Sequence, residues 1–152
     1  MMFTSATAEY ALRAMARIGQ ERGRRALRSR EISADTGVPA PYLSKILRKL
    51  VQAGLLKAQK GHHGGFRPAR PLHKIRIIDV LKAVDEWPPP GQCVFGWGEC
   101  DLDNPCPLHP VWSLYETTFR EWARSVTFGY LSDWDEELRR KRQAKRTAGR
   151  RR

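Results

Sequence analysis

One glycine and two prolines, within "ISADTGVPAPYLSKILRKL" (Ile32 to Leu50), constrain the fold of this chain more than any other feature. Leu43, Ile46, Leu47 and Leu50 recur at i, i+3, i+4 and i+7, the spacing of one apolar helix face. Pro41 suits the first turn of that helix, where its missing N–H has no partner to lose. Upstream, a short helix is predicted from Ser29 as N-cap, burying Ile32 and stopping at Gly37, whose missing Cβ admits the left-handed conformation of a helix end. Two short helices joined by a glycine turn form the helix-turn-helix arrangement for the DNA major groove. The second helix carries Ser44, Lys45, Arg48, Lys49 and Gln52 opposite its apolar back.

The flanking segments extend this pattern. Ala11, Ala14, Met15 and Ile18 predict a first amphipathic helix that ends between Gly19 and Gly23, with Arg13 and Arg17 on its other side. After the helix pair, "GLLKAQKGHHGGFRPAR" reads as two strand-like runs around a glycine-rich turn, a β-hairpin wing. The glycines permit positive φ and a close approach to phosphate, which Lys57, Lys60, Arg67 and Arg70 neutralise. His62 and His63 stand at the wing tip, as plain polarity or as DNA contacts. Ile77, Val80, Leu81 and Val84 make another helical face, closed by the prolines of "DEWPPPG". Further on, Trp112, Tyr115, Phe119, Trp122 and Val126 alternate at spacings of three and four, an aromatic seam suited to a dimerisation helix.

Charge separates these regions. Residues 1–72 carry 14 Lys/Arg against 4 Asp/Glu, residues 73–138 carry 5 against 12, and residues 139–152 carry 9 against none. A basic N-terminal half meets a polyanion, and the acidic middle serves another purpose. The polybasic tail, without large apolar residues, is expected to be disordered and to add phosphate affinity without sequence preference. No apolar run reaches the roughly 20 residues of a membrane span, and the N-terminus lacks the pattern of a signal peptide, so a cytoplasmic protein is expected. Thiols stay reduced there, and an odd number of cysteines cannot pair fully.

All three cysteines lie in "GQCVFGWGECDLDNPCPLHPVW". Cys93, Cys100 and Cys106 are spaced C-x6-C-x5-C, with His109 following as C-x2-H, in a loop whose Gly and Pro residues let four donors gather round one centre. The tight C-x2-4-C knuckles of structural zinc sites are missing, and thiolates with imidazole also suit iron–sulfur clusters, so spacing alone leaves zinc and a cluster both open.

Taken together, "EYALRAM", "ISADTGVPAPYLSKILRKLVQAGLL", "KGHHGGF", "IIDVLKAVDE" and the cysteines with "CPLHPVW" resemble the IscR/NsrR-type winged-helix transcription regulators of bacteria, from Phe3 to about Leu131. The resemblance implies a homodimer that binds double-stranded operator DNA and senses iron–sulfur, redox or nitric oxide status through a cluster on Cys93, Cys100 and Cys106. It places His109 at the fourth-ligand position of [2Fe-2S] members, and Glu9 at the position from which other members supply a carboxylate to the partner subunit. His109, three residues from Cys106, can close on the same iron without a partner chain, which favours it over Glu9, and its match to the [2Fe-2S] members implies [2Fe-2S] rather than [4Fe-4S]. The "GHHGG" wing tip and the polybasic tail depart from the family pattern.

The expected fold is therefore mainly α with a small β-hairpin wing. It divides into a winged helix-turn-helix over 1–86, a cluster-binding loop over 87–109, one long dimerisation helix over 110–138 and a disordered tail over 139–152. Ser44, Lys45 and Arg48 are the candidates for base contact. Lys49, Lys60 and Arg67 are the candidates for phosphate, with His62 and His63 beside them. The rival is a zinc-stabilised CCCH-type RNA- or DNA-binding protein without sensing, whose final spacing would be C-x3-H. No phosphate loop, nucleophile elbow or zinc-hydrolase helix is present, so neither an enzyme nor a small-molecule substrate is expected.

Overall fold

In the computed structural model, which describes residues 5–84, 87, 89–134, 136 and 137, α-helices and one β-hairpin surround a single apolar core. Helix α1 (Ala6–Gln20) opens on Ser5, whose hydroxyl accepts the Ala8 N–H at 3.1 Å. It buries Ala8, Ala11, Ala14, Met15 and Ile18, the predicted face extended by one turn. Helix α2 (Ser29–Thr36) is capped differently from the expectation. Ser29 is its first helical residue rather than its N-cap, and the Glu31 carboxylate accepts the Arg28 N–H at 2.8 Å. Gly37, with φ +70, ends α2 as predicted.

Helix α3 (Ala40–Gln52) packs Leu43, Ile46, Leu47 and Leu50 against α1 and α2. Strands β1 (Leu56–Gln59) and β2 (Gly65–Pro68) pair antiparallel from Leu56↔Pro68 to Gln59↔Gly65. Leu27 forms an isolated antiparallel bridge to β2, exchanging both backbone hydrogen bonds with Phe66. Gly65 is required there: its φ is +148, and a Cβ would lie 2.4 Å from the Leu27 carbonyl oxygen. A 3-10 turn (Leu72–Lys74) leads to α4 (Ile77–Ala83), where Asp79 accepts the Arg76 N–H at 2.9 Å, the device that Glu31 uses on α2.

Helix α5 (His109–Ser125) ends earlier than the sequence pattern suggests. In place of one helix over 110–138, the backbone is extended at Val126 and resumes as a helix over 128–134. The break is fixed from outside: the Ile77 N–H donates to the Val126 carbonyl at 3.1 Å, and the Phe128 N–H donates to the Ile75 carbonyl at 2.9 Å. Phe128 is fully buried beyond this point, and Gly129 sits against the His73 backbone, where a Cβ would come within 2.9 Å. The Ser132 hydroxyl donates to the Gly19 carbonyl, and Arg22 pairs with Asp133 and Glu136. The segment after α5 thus folds back onto the head. The predicted tail, 139–152, lies outside the described residues.

Candidate nucleic-acid interface and cysteine pocket

The winged head presents one basic surface. On α3, Ser44, Lys45 and Arg48 are exposed, while their apolar neighbours are buried. The Ser44 hydroxyl donates to the Ala40 carbonyl at 2.9 Å, which leaves its lone pairs outward as acceptors. Tyr42, exposed at the start of the same helix and edge-on to Tyr10, joins this surface without having been singled out by the sequence. Lys49 stands apart from the set expected to meet phosphate. It is half-buried, and its ammonium donates to the Val84 carbonyl at the end of α4, at 3.4 Å.

In the wing, Lys60, His62, His63 and Arg67 are exposed, and the two imidazole rings meet edge to face with centroids 5.1 Å apart. The Arg28 guanidinium donates to the His62 carbonyl and ties the wing tip to the start of α2. Around that tie, Arg25, Arg28 and Arg30 join the two histidines in lining a cleft of about 310 Å³. Sequence reasoning passed over these arginines, although their density in "RGRRALRSR" was a usable signal.

The cysteine segment has neither helix nor strand between the α4–α5 linker and α5. What shape it has comes from turns: Cys93 N–H to the Gly98 carbonyl at 2.8 Å, Gly96 N–H to Cys93 at 2.9 Å, and Cys100 N–H to Gly91 at 2.8 Å. The Asp101 carboxylate accepts the N–H groups of Asp103 and Asn104, which holds its own pKa below the usual carboxylate range. Two hydrogen bonds fasten the start of the segment to α5. The Gly91 N–H donates to both oxygens of Glu116 at 3.2 Å, and the Trp112 indole N–H donates to the Gln92 carbonyl at 2.7 Å.

These ties bring Cys93, Cys100, Cys106 and His109 to one cavity of about 220 Å³, walled by Phe95 and Trp97, whose rings stack at 4.8 Å. All three thiols are free. Burial raises the Cys100 thiol above its ordinary pKa, and the charges of Cys93 and Cys106 act in the same direction. His109 opens α5 with its N–H on the Cys106 carbonyl at 2.9 Å. Its Nδ1 is buried and has no hydrogen-bond partner. A buried imidazole nitrogen without a partner is expensive unless a ligand satisfies it, and three thiols in the same cavity supply the matching soft donors. Among the described residues, no three Cys, His, Asp or Glu side chains stand in metal-ligating geometry, so the donors share a cavity without converging on a point. Glu9 lies elsewhere, on the exposed side of the first turn of α1 and ion-paired with Arg13.

The aromatic seam on α5 is partly used within the chain. Rings of Trp112, Tyr115, Phe119 and Trp122 follow one another at 5.6, 6.2 and 5.6 Å. Phe119 and Val126 pack against the core, and Val126 falls beyond the end of the helix. The face left open carries Val111, 74% exposed, Leu114, 68% exposed, and the edge of Trp122. No helix among the described residues is long and apolar enough to cross a membrane.

Comparison with known proteins agrees with this architecture. The family model described as "Rrf2: Iron-dependent Transcriptional regulator" matches residues 4–133. The HTH-type transcriptional regulator IscR of Vibrio campbellii is 32% identical over 108 residues, covering 71% of this chain and 64% of that protein. The chain thus spans a little under two thirds of the length of that relative. Among solved structures, CymR (YrzC), the global cysteine regulator of B. subtilis, is similar at a TM-score of 0.72 and 21% identity, covering 88% of this chain and 98% of that one. IscR of T. potens is similar at a TM-score of 0.70 and 23% identity, covering 90% of each chain.

Proposed function

The chain belongs to the Rrf2 family of DNA-binding transcriptional regulators, and from that premise we propose that it is a homodimer whose operator affinity is set by an iron–sulfur cluster in the cysteine cavity. It is not an enzyme. The observation that carries the proposal is one cavity lined by all three thiols and by His109, whose Nδ1 is buried without a hydrogen-bond partner. Cys93, Cys100, Cys106 and His109 are the residues that would hold the group, with [2Fe-2S] favoured over [4Fe-4S] by the similarity to IscR and with Glu9 of a partner subunit as the alternative fourth ligand. Bound there, the cluster supplies a centre that oxidants or nitric oxide alter or remove.

The chain's own residues convert this into a signal. The thiols must lose their protons to ligate, and drawing four donors together pulls on the Gly91–Cys106 segment, which Glu116 and Trp112 fasten to α5. Helix α5 in turn packs on α4, and α4 on α1 and α3, so a shift at the loop reorients the reading head. Across the dimer, the open face of Val111, Leu114 and Trp122 meets its copy, which spaces two α3 helices for successive turns of operator DNA in the cytoplasm. Ser44, Lys45 and Arg48 reach base edges, while Lys60, His62, His63 and Arg67 lie along the phosphates.

Anaerobic purification followed by iron, acid-labile sulfide and zinc analysis, with the visible spectrum, tests the reading. Equal iron and sulfide, with operator affinity that differs between loaded and stripped dimers at one salt concentration, is the expected result. Stoichiometric zinc without sulfide would leave a DNA-binding dimer with a structural metal, and equal affinities would remove the sensor.

A further inference from the structure

The wing is joined to the head by more than the Leu27–Phe66 bridge. Between the start of α2 and the wing lie two cavities, of about 310 and 430 Å³, that share Arg28, Arg30 and Gly64 and so form one furrow. The Arg28 guanidinium crosses this furrow and donates to the His62 carbonyl. One half is walled by Arg25 and by the edge-to-face imidazoles of His62 and His63, and the other half includes Gln59 and Phe66 of the two strands. Among the lining residues the one carboxylate is Glu31, and it is already engaged. It pairs with Arg25 at 2.8 Å and accepts the Arg28 N–H at 2.8 Å, contacts that hold it below the usual carboxylate range. Arg25 is thus matched, by Glu31 and also by Glu21. The Arg28 guanidinium has only a neutral carbonyl as hydrogen-bond partner among the described residues, and Arg30, exposed in the first turn of α2, makes no hydrogen bond or ion pair with any of them. Guanidinium groups gathered without carboxylates repel one another, and an anion whose oxygens accept their forked N–H groups relieves that repulsion.

We propose that this furrow binds the sugar–phosphate backbone of duplex DNA, with Arg28 and Arg30 as the phosphate-contacting cations and His62 and His63 as the opposing wall. The inference rests on the DNA-binding reading above, which sets the histidines along the phosphates, and deepens it by adding a site on α2 that faces them. A furrow that continues on both sides of the Arg28 tie suits a continuous strand, whereas a single small anion calls for a closed pocket. Backbone contacts carry no sequence information, so the furrow adds affinity for any duplex and leaves preference to α3. The imidazoles make this contact depend on pH. Imidazole changes its charge between pH 5 and 8, and an ionised phosphate against it favours the charged form. The DNA-bound protein then holds more protons than the free one, and affinity falls as pH rises. The charged groups around the imidazoles are Arg25, Arg28, Arg30 and Glu31 on the α2 side and Lys60 beside them on the wing, so an added phosphate moves the set toward charge balance.

The full-length apo-protein and a duplex that the wild type selects from a random pool provide the test, with Kd followed by fluorescence anisotropy from about 50 to 200 mM salt. In Arg30→Ala the slope of log affinity against log salt is expected to fall by about 0.9, one phosphate contact, and in Arg28→Ala/Arg30→Ala by about 1.8, with the ranking of single-position duplex variants unchanged. Arg30 has no partner to lose, so Arg30→Ala should keep the wild-type unfolding midpoint, and it carries the test if loss of the Arg28 tie disturbs the wing. At fixed salt the wild-type affinity should fall by about fivefold from pH 6 to pH 8, and that of His62→Asn/His63→Asn by less than about twofold. A full pH response in the histidine variant overturns the part assigned to the imidazoles. Pyrophosphate is the probe for a free anion: saturable binding that persists undiminished with the duplex bound would overturn the assignment to DNA. If the wild type binds DNA and both arginine variants keep its salt slope, the furrow lies off the DNA path and the inference alone fails. A wild type that selects no duplex overturns the DNA-binding reading with it. Every measurement is made without a cluster, so the iron–sulfur reading is left to its own metal analysis.

Discussion

Residues 38–56 and 89–108 are about equally long, and they are fixed by different forces. The first stretch buries Val38, Leu43, Ile46, Leu47, Leu50, Leu55 and Leu56 almost completely. The second contains no buried residue at all, and its Trp97 is 81% exposed. Each fully buried aliphatic side chain contributes roughly 1.5–3 kcal/mol, so the reading head has a shape that no ligand needs to supply. The cysteine loop has only turns and its two fastenings to α5, each hydrogen bond contributing about 0.5–1.5 kcal/mol net. A regulator needs both kinds of region: one that keeps its geometry on DNA, and one loose enough for its donors to be rearranged by what they bind.

The contrast is broken most directly in the head. Leu47→Ala removes a side chain that is 1% exposed and should destabilise the apo-protein by about 2–5 kcal/mol, seen as a lower midpoint in denaturant unfolding. A loss below 1 kcal/mol would mean that the head is not held by burial. Gly65→Ala comes next. Its φ of +148 and the 2.4 Å approach to the Leu27 carbonyl predict a cost of about 1–3 kcal/mol and a wing detached from Leu27. Wild-type stability in that variant would show that the wing tolerates another register.

On the DNA face the same contrast separates base contact from phosphate contact. Arg48→Ala is expected to lose about 1–3 kcal/mol at one base pair and to relax preference there, measured by competition between duplexes that differ at single positions. Lys60→Ala should weaken all duplexes alike and reduce the slope of log affinity against log salt by about 1. If both variants lower affinity without changing preference, α3 does not read bases through Arg48.

The unequal forces also decide what was legible in the sequence. Helices α1 and α3, the Gly37 turn and the wing followed from periodicity and glycine placement, because burial leaves a repeating pattern in the chain. The cysteine loop was legible as a loop, and its donors were named from their chemistry, but their gathering in one cavity depends on Trp112, which sequence reading assigned to the dimerisation seam, and on Glu116, which it did not single out. Glu116 and Arg120 form an ion pair whose i, i+4 spacing looks the same as that of a surface pair, and only the fold brings Trp87 and Gly91 to it. The end of α5 was misjudged for a similar reason. Val126 continues the apolar seam, yet the backbone of Ile75 and Ile77 claims the hydrogen-bonding groups on either side of it. Lys49 looked like a phosphate contact because it is basic on the polar face, and only the position of Val84 turns it inward.

The smallest expected effect on stability is also the sharpest test of the comparison. Cys106 is exposed, and its carbonyl rather than its thiol makes the hydrogen bond to His109. Cys106→Ser should therefore leave the unfolding free energy of the apo-protein within about 0.5 kcal/mol of wild type. The same substitution replaces a soft thiolate donor by a hydroxyl and should abolish stoichiometric iron and sulfide, read by metal analysis on the anaerobically purified variant. Stability and metal content thus part company at one atom. If Cys106→Ser instead costs more than about 2 kcal/mol in the apo-protein, on the scale of a core truncation, the loop is part of what holds the fold together, and the division between a self-sufficient head and a ligand-shaped loop fails.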